Sequence, residues 1–237
     1  DKKARMEILK IHTKAVPLAE DVELERLAAL TVSFSGADLE NLVNEAALMA
    51  GREDRSEVNM AALLGARDKV VLGGPREMVI GEAEKRRIAY HEAGHVITAI
   101  LLPNADPLDK VTIIPRGRAL GATEQIPVED RHNLSVSYLR DRIGVMLGGR
   151  VSEQLIFGEV SSGDEQDLKQ ATALARRMVT QWGMSERLGP VAFRRGEEHI
   201  FLGREMAQQR DFSEHTARVI DDEIGKLVRG IEDEIKI

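Results

Sequence analysis

Apolar residues recur along this chain mostly at the three-and-four spacing of helices, and only briefly at the alternation of strands. Between Ala4 and Ala15, Met6, Ile8, Leu9 and Ile11 fall where a helix buries them, and Pro17 stops the run. Asp21 is placed to cap a second helix carrying Val22, Leu24, Leu27 and Leu30. Ser35 is placed to cap a third, in which Leu39, Leu42, Val43, Ala46, Ala47 and Met49 share one face. A fourth helix is predicted over Ser56 to Leu72, and Gly73-Gly74-Pro75 is the sharpest break in the chain. Beyond it one long helix is predicted from Gly81 to Leu102, ended by Pro103. Two short strands follow, Lys110 to Pro115 and Ala119 to Pro127, around a turn at Arg116-Gly117-Arg118. Helices resume over Ser135 to Phe157 and Asp164 to Gln181, and again from Ser213 to the end. The region between holds Pro190, with short strands expected at Val191–Phe193 and Ile200–Leu202. The pattern predicts an α+β chain, mainly α with a small β element, in two domains divided near Gly74.

Composition narrows this picture. The chain has 237 residues, 43% hydrophobic and 31% charged, which a disordered chain does not match. No apolar stretch approaches the roughly 20 residues of a membrane helix, and no secretory leader is visible. With 33 Lys and Arg against 40 Asp and Glu, the net charge of -7 argues against a general nucleic-acid or anionic-membrane binder. Cysteine is absent, which excludes disulfides, thiolate nucleophiles and Cys-rich zinc sites and fits a reducing compartment.

Chemistry concentrates at His91-Glu92-Ala93-Gly94-His95, inside the long predicted helix. Side chains four apart project from one helix face, so both imidazoles can reach one metal ion. A catalytic zinc commonly takes three protein ligands and lowers the pKa of water to about 7. Glu92, beside the first ligand, is then placed to take a proton. Three fixed positions in five arise by chance in about one chain in a hundred of this length. The apolar helical setting raises the odds, and so does Gly94, which costs about 1 kcal/mol against Ala unless packing or a close approach requires it. The plainer reading is two surface histidines on an amphipathic helix.

A third ligand must come from elsewhere. Position 98 is Thr and no His stands at 101, which excludes the three-His extended motif. Asp164, Glu165 and Asp167 cluster in SSGDEQDL at a helix start, and Glu153 on another helix is a rival. Acids are common in a first turn because they complement the helix dipole. Spacing does not choose among them; Asp167 stands slightly ahead. His132, His199 and His215 are expected at the surface, and the acids at 221–223 and 232–234 on a solvated helix face.

At these residues the chain resembles the FtsH family of ATP-dependent zinc metalloproteases. The likeness runs nearly end to end, through HEAGH at 91–95, KVTIIPRGRALG at 110–121, LGGRVSEQLIFG at 147–158, SSGDEQDLKQAT at 161–172 and MVTQWGMSERLGP at 178–190. It implies His91, His95 and Asp167 as zinc ligands and Glu92 as the catalytic base, with Glu153 in a supporting role. Residues 1–74 resemble the helical lid of an AAA+ ATPase module, through ILKIHTKAVPLAEDVELERLA at 8–28 and SFSGADLENLVNEAAL at 33–48. There His12, Gly36 and Ala37 match positions near the nucleotide's adenine end. A blander reading makes Gly36 and Ala37 a capped helix start and His12 a surface residue. Thr31-Val32-Ser33 departs from the family, where a Gly is common.

The resemblance implies a zinc peptidase domain over 79–237, truncated at its C-terminus, in a longer membrane-anchored protein. That protein is expected in the bacterial inner membrane or an organelle membrane, with these domains on the cytoplasmic or organelle-interior side. It would form a homo-hexamer, use ATP with Mg2+, and take unfolded and membrane proteins as substrates. The present piece is expected to be soluble. No G-x-x-x-x-G-K-[ST] loop occurs, since Gly225-Lys226 is followed by Leu, so this piece alone is expected neither to hydrolyse ATP nor to bind it appreciably. An extended substrate could add to the strand around Ala119–Gln125; Gly121→Pro would then impair cleavage and leave zinc bound. The alternative is a non-hydrolytic structural or regulatory zinc module.

Overall fold

The structure is a computed structural model and describes residues 1–116, 120–127, 131, 133–193 and 212–236. It is mainly α, as the pattern predicts. Helices α1 (Lys2–Thr13), α2 (Leu24–Leu30), α3 (Gly36–Arg52), α4 (Met60–Leu72) and α5 (Glu82–Leu101) precede strands β1 (Leu108–Thr112) and β2 (Ala122–Gln125). Helix α6 (Val136–Phe157), a single 3-10 turn (Ser162–Asp164), α7 (Glu165–Thr180) and α8 (Glu214–Glu234) follow. Among the described residues no helix is long and apolar enough to cross a membrane. The chain divides into two compact units, residues 1–92 with 106–132 and residues 93–105 with 133–237. The division runs through α5, which is one continuous helix.

In the first unit α1 to α4 close over Leu9, Leu27, Leu39, Leu42, Val43, Ala46, Leu63 and Ala66, all fully or almost fully buried. Ser35 and Asp38 cap α3 reciprocally. The hydrogen bonds from the Ser35 side chain and backbone hold the Asp38 carboxyl below its usual range. Asp21 does not cap α2, contrary to the sequence expectation. Its carboxylate accepts the Met60 N–H at 3.2 and 3.3 Å, at the start of α4. Glu23 stands at the N-cap of α2 with no side-chain bond. Tertiary folding thus gives the acid to the helix whose free N–H groups it can reach. Ser33 adopts φ 68°, a left-handed conformation costly to a residue with a Cβ.

Strands β1 and β2 pair antiparallel, with Lys110 opposite Glu124, Val111 opposite Thr123 and Thr112 opposite Ala122. A bulge lies between Leu108 and Lys110. The predicted turn at Arg116-Gly117-Arg118 falls partly outside the described residues.

In the second unit α6, α7 and α8 pack on one another around Leu139, Ile143, Leu147, Ala175, Met178 and Ile220. Gly158, at φ 72°, ends α6 in the left-handed conformation that glycine adopts freely. No strand forms at Val191–Phe193. The Phe193 N–H instead donates at 2.7 Å to Thr180 O, one of the carbonyls left open at the end of α7. The strand expected at Ile200–Leu202 lies outside the described residues, as do His132 and His199. His215 is exposed. Of the acids near the C-terminus, Glu232 is partly buried and accepts from Arg150 Nε at 3.1 Å, whereas Glu234 is exposed, as expected, and accepts from Arg140 at 2.6 Å.

Candidate metal centre

Helix α5 carries His91, Glu92 and His95, with Glu82 and Glu84 in its first turn favouring the positive end of its dipole. His91 sits one turn before His95 on the same helix, so the helix itself fixes their spacing. His95 is 7% exposed. Its Nδ1 lies 2.7 Å from the carbonyl oxygen of Val145 on α6. A carbonyl only accepts, so Nδ1 carries a proton, and Nε2 is the nitrogen left to hold a metal. That Nε2 stands 3.4 Å from Oδ2 of Asp167 in the first turn of α7. Two ligands each about 2.0–2.1 Å from a tetrahedral metal lie about 3.3 Å apart, so this pair is spaced for one ion. His91 offers a further ligand atom from the same face of α5, one turn before His95. An imidazole oriented by a backbone carbonyl and a carboxylate are a donor set that suits zinc.

Small residues let α6 come this close. A Cβ on Gly94 would lie 2.2 Å from Gly148 O and 2.6 Å from Ser152 Cβ, and one on Gly148 would lie 2.6 Å from Gly94 O. The two glycines face each other across the helix crossing. The Thr98 hydroxyl, also beside Gly148, donates back to Gly94 O at 2.8 Å. Gly94 therefore has the close-approach reason that its helix position required.

Glu92 is 6% exposed. Thr123 of β2 donates its hydroxyl to Glu92 Oε2 at 2.6 Å. Oε1 faces the backbone of Gly121, where a Cβ would come within 2.5 Å of it. A side chain at 121 would displace the carboxylate, so Gly121→Pro acts on Glu92 directly and does not isolate the role of the strand edge. The rival acids, on α6 and at the 3-10 turn, are buried. Glu153 is 1% exposed and accepts from the Ser161 hydroxyl at 3.1 Å. Asp164 is 2% exposed and bound by Arg150 at 3.3 Å.

The proposed nucleotide-facing residues lie apart from this centre in sequence and on other elements. His12 is in the last turn of α1, and Gly36 and Ala37 open α3, exposed. Helix α1 packs on α3, and among the described residues no hydrogen bond joins the three. Sequence reasoning missed Thr123, Val145 and the role of Gly121. Each acts across a long sequence gap, and only the Gly-containing strand pattern hinted at Gly121.

The sequence model of peptidase family M41 matches residues 78–236, and that of the AAA+ lid domain matches residues 21–64. An ATP-dependent zinc metalloprotease FtsH from Nitrosococcus oceani is 64% identical over 232 residues, covering 98% of this chain and 36% of that protein. Proteins of the same name from Syntrophotalea carbinolica and Marinobacter nauticus are each 56% identical, over 97% and 94% of this chain and 35% of each relative. The chain thus spans about a third of the length of the curated relatives it matches.

Proposed function

The chain belongs to peptidase family M41, and on that premise we propose that it is a zinc metalloendopeptidase with His91, His95 and Asp167 as metal ligands and Glu92 as general base. The observation that carries the ligand assignment is the pairing of His95 Nε2 with Asp167 Oδ2 at 3.4 Å, with Nδ1 held by Val145. Zinc, when bound, would polarise the scissile carbonyl and acidify a water. His95 presents Nε2 because Val145 holds its other nitrogen. Glu92 is held through the Thr123 hydroxyl at Oε2, with Oε1 beside Gly121. From there it takes the proton of the attacking water and delivers it to the leaving amine. Strand β2 is paired only with β1 among the described residues, so its other edge is open to an extended peptide.

Residues 1–74 would be the AAA+ lid and 79–237 the peptidase domain of a longer protein. In that protein His12, Gly36 and Ala37 would meet the adenine end of ATP, bound with Mg2+ by a core this chain does not include. We further propose a homo-hexamer anchored in the bacterial inner membrane or an organelle membrane, degrading unfolded and membrane proteins, with no nucleic-acid partner. The test pairs zinc stoichiometry with cleavage of an unfolded protein by the parent chain and Glu92→Gln. Bound zinc with cleavage abolished in the variant is expected. Zinc without cleavage in the parent would favour a structural module, and cleavage surviving in the variant would remove Glu92 as base.

A further inference from the structure

Within the first unit, Arg67 on α4 is 2% exposed and fully engaged. Its Nε donates to Leu30 O at 2.8 Å, one terminal nitrogen donates to Asp109 at 2.8 Å, and the other binds Glu124. Its neighbour Asp68 accepts from Lys110. Asp109 and Lys110 are consecutive on β1, and in a regular strand they would point to opposite faces. The bulge between Leu108 and Lys110 lets both reach α4.

Strand alternation does the reverse on β2. Glu124 turns toward Arg67, and Thr123, the next residue, turns the other way to Glu92. The hairpin is therefore a thin layer with α4 on one face and the general base on the other. A two-stranded sheet is marginal by itself, so its placement depends on its anchors. These anchors are expensive. Three carboxylates meet two cations, and Asp68 Oδ1 and Glu124 Oε2 are buried without a hydrogen-bond partner. Burial pushes the Glu124 carboxyl above its usual range against the pull of Arg67. A buried ionic cluster is often replaceable by apolar side chains without loss of stability, so stability does not account for it.

We propose that Arg67 is a positioning residue: by pinning β2 through Glu124 it fixes Thr123 against Glu92 and ties helix α4 of the lid to the general base. This rests on the assignment of Glu92 as base. Residue by residue, the link runs from Arg67 to Glu124, along one step of backbone to Thr123, and from its hydroxyl to the carboxylate.

The test uses the zinc-loaded chain with Arg67→Met, Thr123→Val, the double variant, and Leu42→Ala, which opens the lid core away from the charged cluster. Arg67→Met is expected to lower kcat for an unstructured peptide about tenfold with KM and zinc content kept, since small misplacements of a catalytic group cost rate. The double variant should be no slower than the slower single variant, because both break one link. Leu42→Ala should lower the melting temperature and leave kcat near the parent's. Unchanged kcat in Arg67→Met, losses that multiply in the double variant, or an equal kcat loss in Leu42→Ala would overturn the proposal. A second readout stands without catalysis: in the zinc-free chain the Thr123 methyl NMR resonance should move in Arg67→Met and not in Leu42→Ala. An unmoved resonance rejects the proposal, whereas a moved one beside an active Glu92→Gln rejects the base assignment and leaves the Arg67–Thr123 link. If Arg67→Met does not fold, Glu124→Leu removes the strand's half of the pair and is judged by the same results.

Discussion

Gly94→Ala adds one methyl group at the crossing of α5 and α6. Its Cβ would meet Gly148 O at 2.2 Å, and that oxygen is backbone, so no side chain can swing aside. Relief requires the helices to part by about 1 Å, an overpacking cost at the upper end of about 1–3 kcal/mol. Alanine returns about 1 kcal/mol of helix propensity. The net loss is therefore about 2 kcal/mol, or about 4–8 °C in melting temperature for a chain of this size. The same displacement breaks the 2.7 Å bond from His95 Nδ1 to Val145 O. Loss of such an outer partner lowers metal affinity about 10–100-fold. Gly230→Ala is the control, since nothing lies within 4 Å of a Cβ there and helix propensity alone acts. Melting curves and zinc competition against a chelator read both effects. If Gly94→Ala melts higher, as Gly230→Ala should, and holds zinc as the parent does, the glycine crossing does not position His95.

Three further outcomes are expected. Ser33→Gly relieves a left-handed residue at about 1–2 kcal/mol and gives back about 0.4–1 kcal/mol of unfolded-chain entropy, so the melting temperature should rise slightly; a fall would refute the strain. Asp21→Ala should cost about 1 kcal/mol and lose amide-exchange protection at Met60, whereas loss confined to the first turn of α2 would restore the cap expected from sequence. The Glu124 carboxyl is raised by burial from its ordinary value of 4.5, so its ionisation removes stability as pH rises through the folded-state value. Urea midpoints should show Glu124→Gln gaining on the parent from about pH 4.5 upward until that value is passed; a gap that does not change with pH would refute it.

The helices and the His91–His95 spacing were legible because both are local. A period of 3.6 residues brings side chains four apart together whatever the rest of the chain does. Asp167 was separable from Glu153, Asp164 and Glu165 only through family resemblance, since all four acids satisfy a helix start or a helix face equally well. Asp21 was misassigned for the same reason: its partner, Met60, is 39 residues away. Val191–Phe193 has strand composition, yet the open carbonyl at the end of α7 takes the Phe193 N–H. Thr123 and Arg67 carried no sequence signal, because a bulge and a strand register decide what each side chain faces.

The most direct test of the central claim is a crystal structure of the zinc-loaded chain with anomalous diffraction recorded at the zinc edge. A single peak about 2.0–2.2 Å from nitrogens of His91 and His95 and from an oxygen of Asp167 is predicted. A peak held by His91 with Glu153 and Asp164, the rival acids, would contradict it.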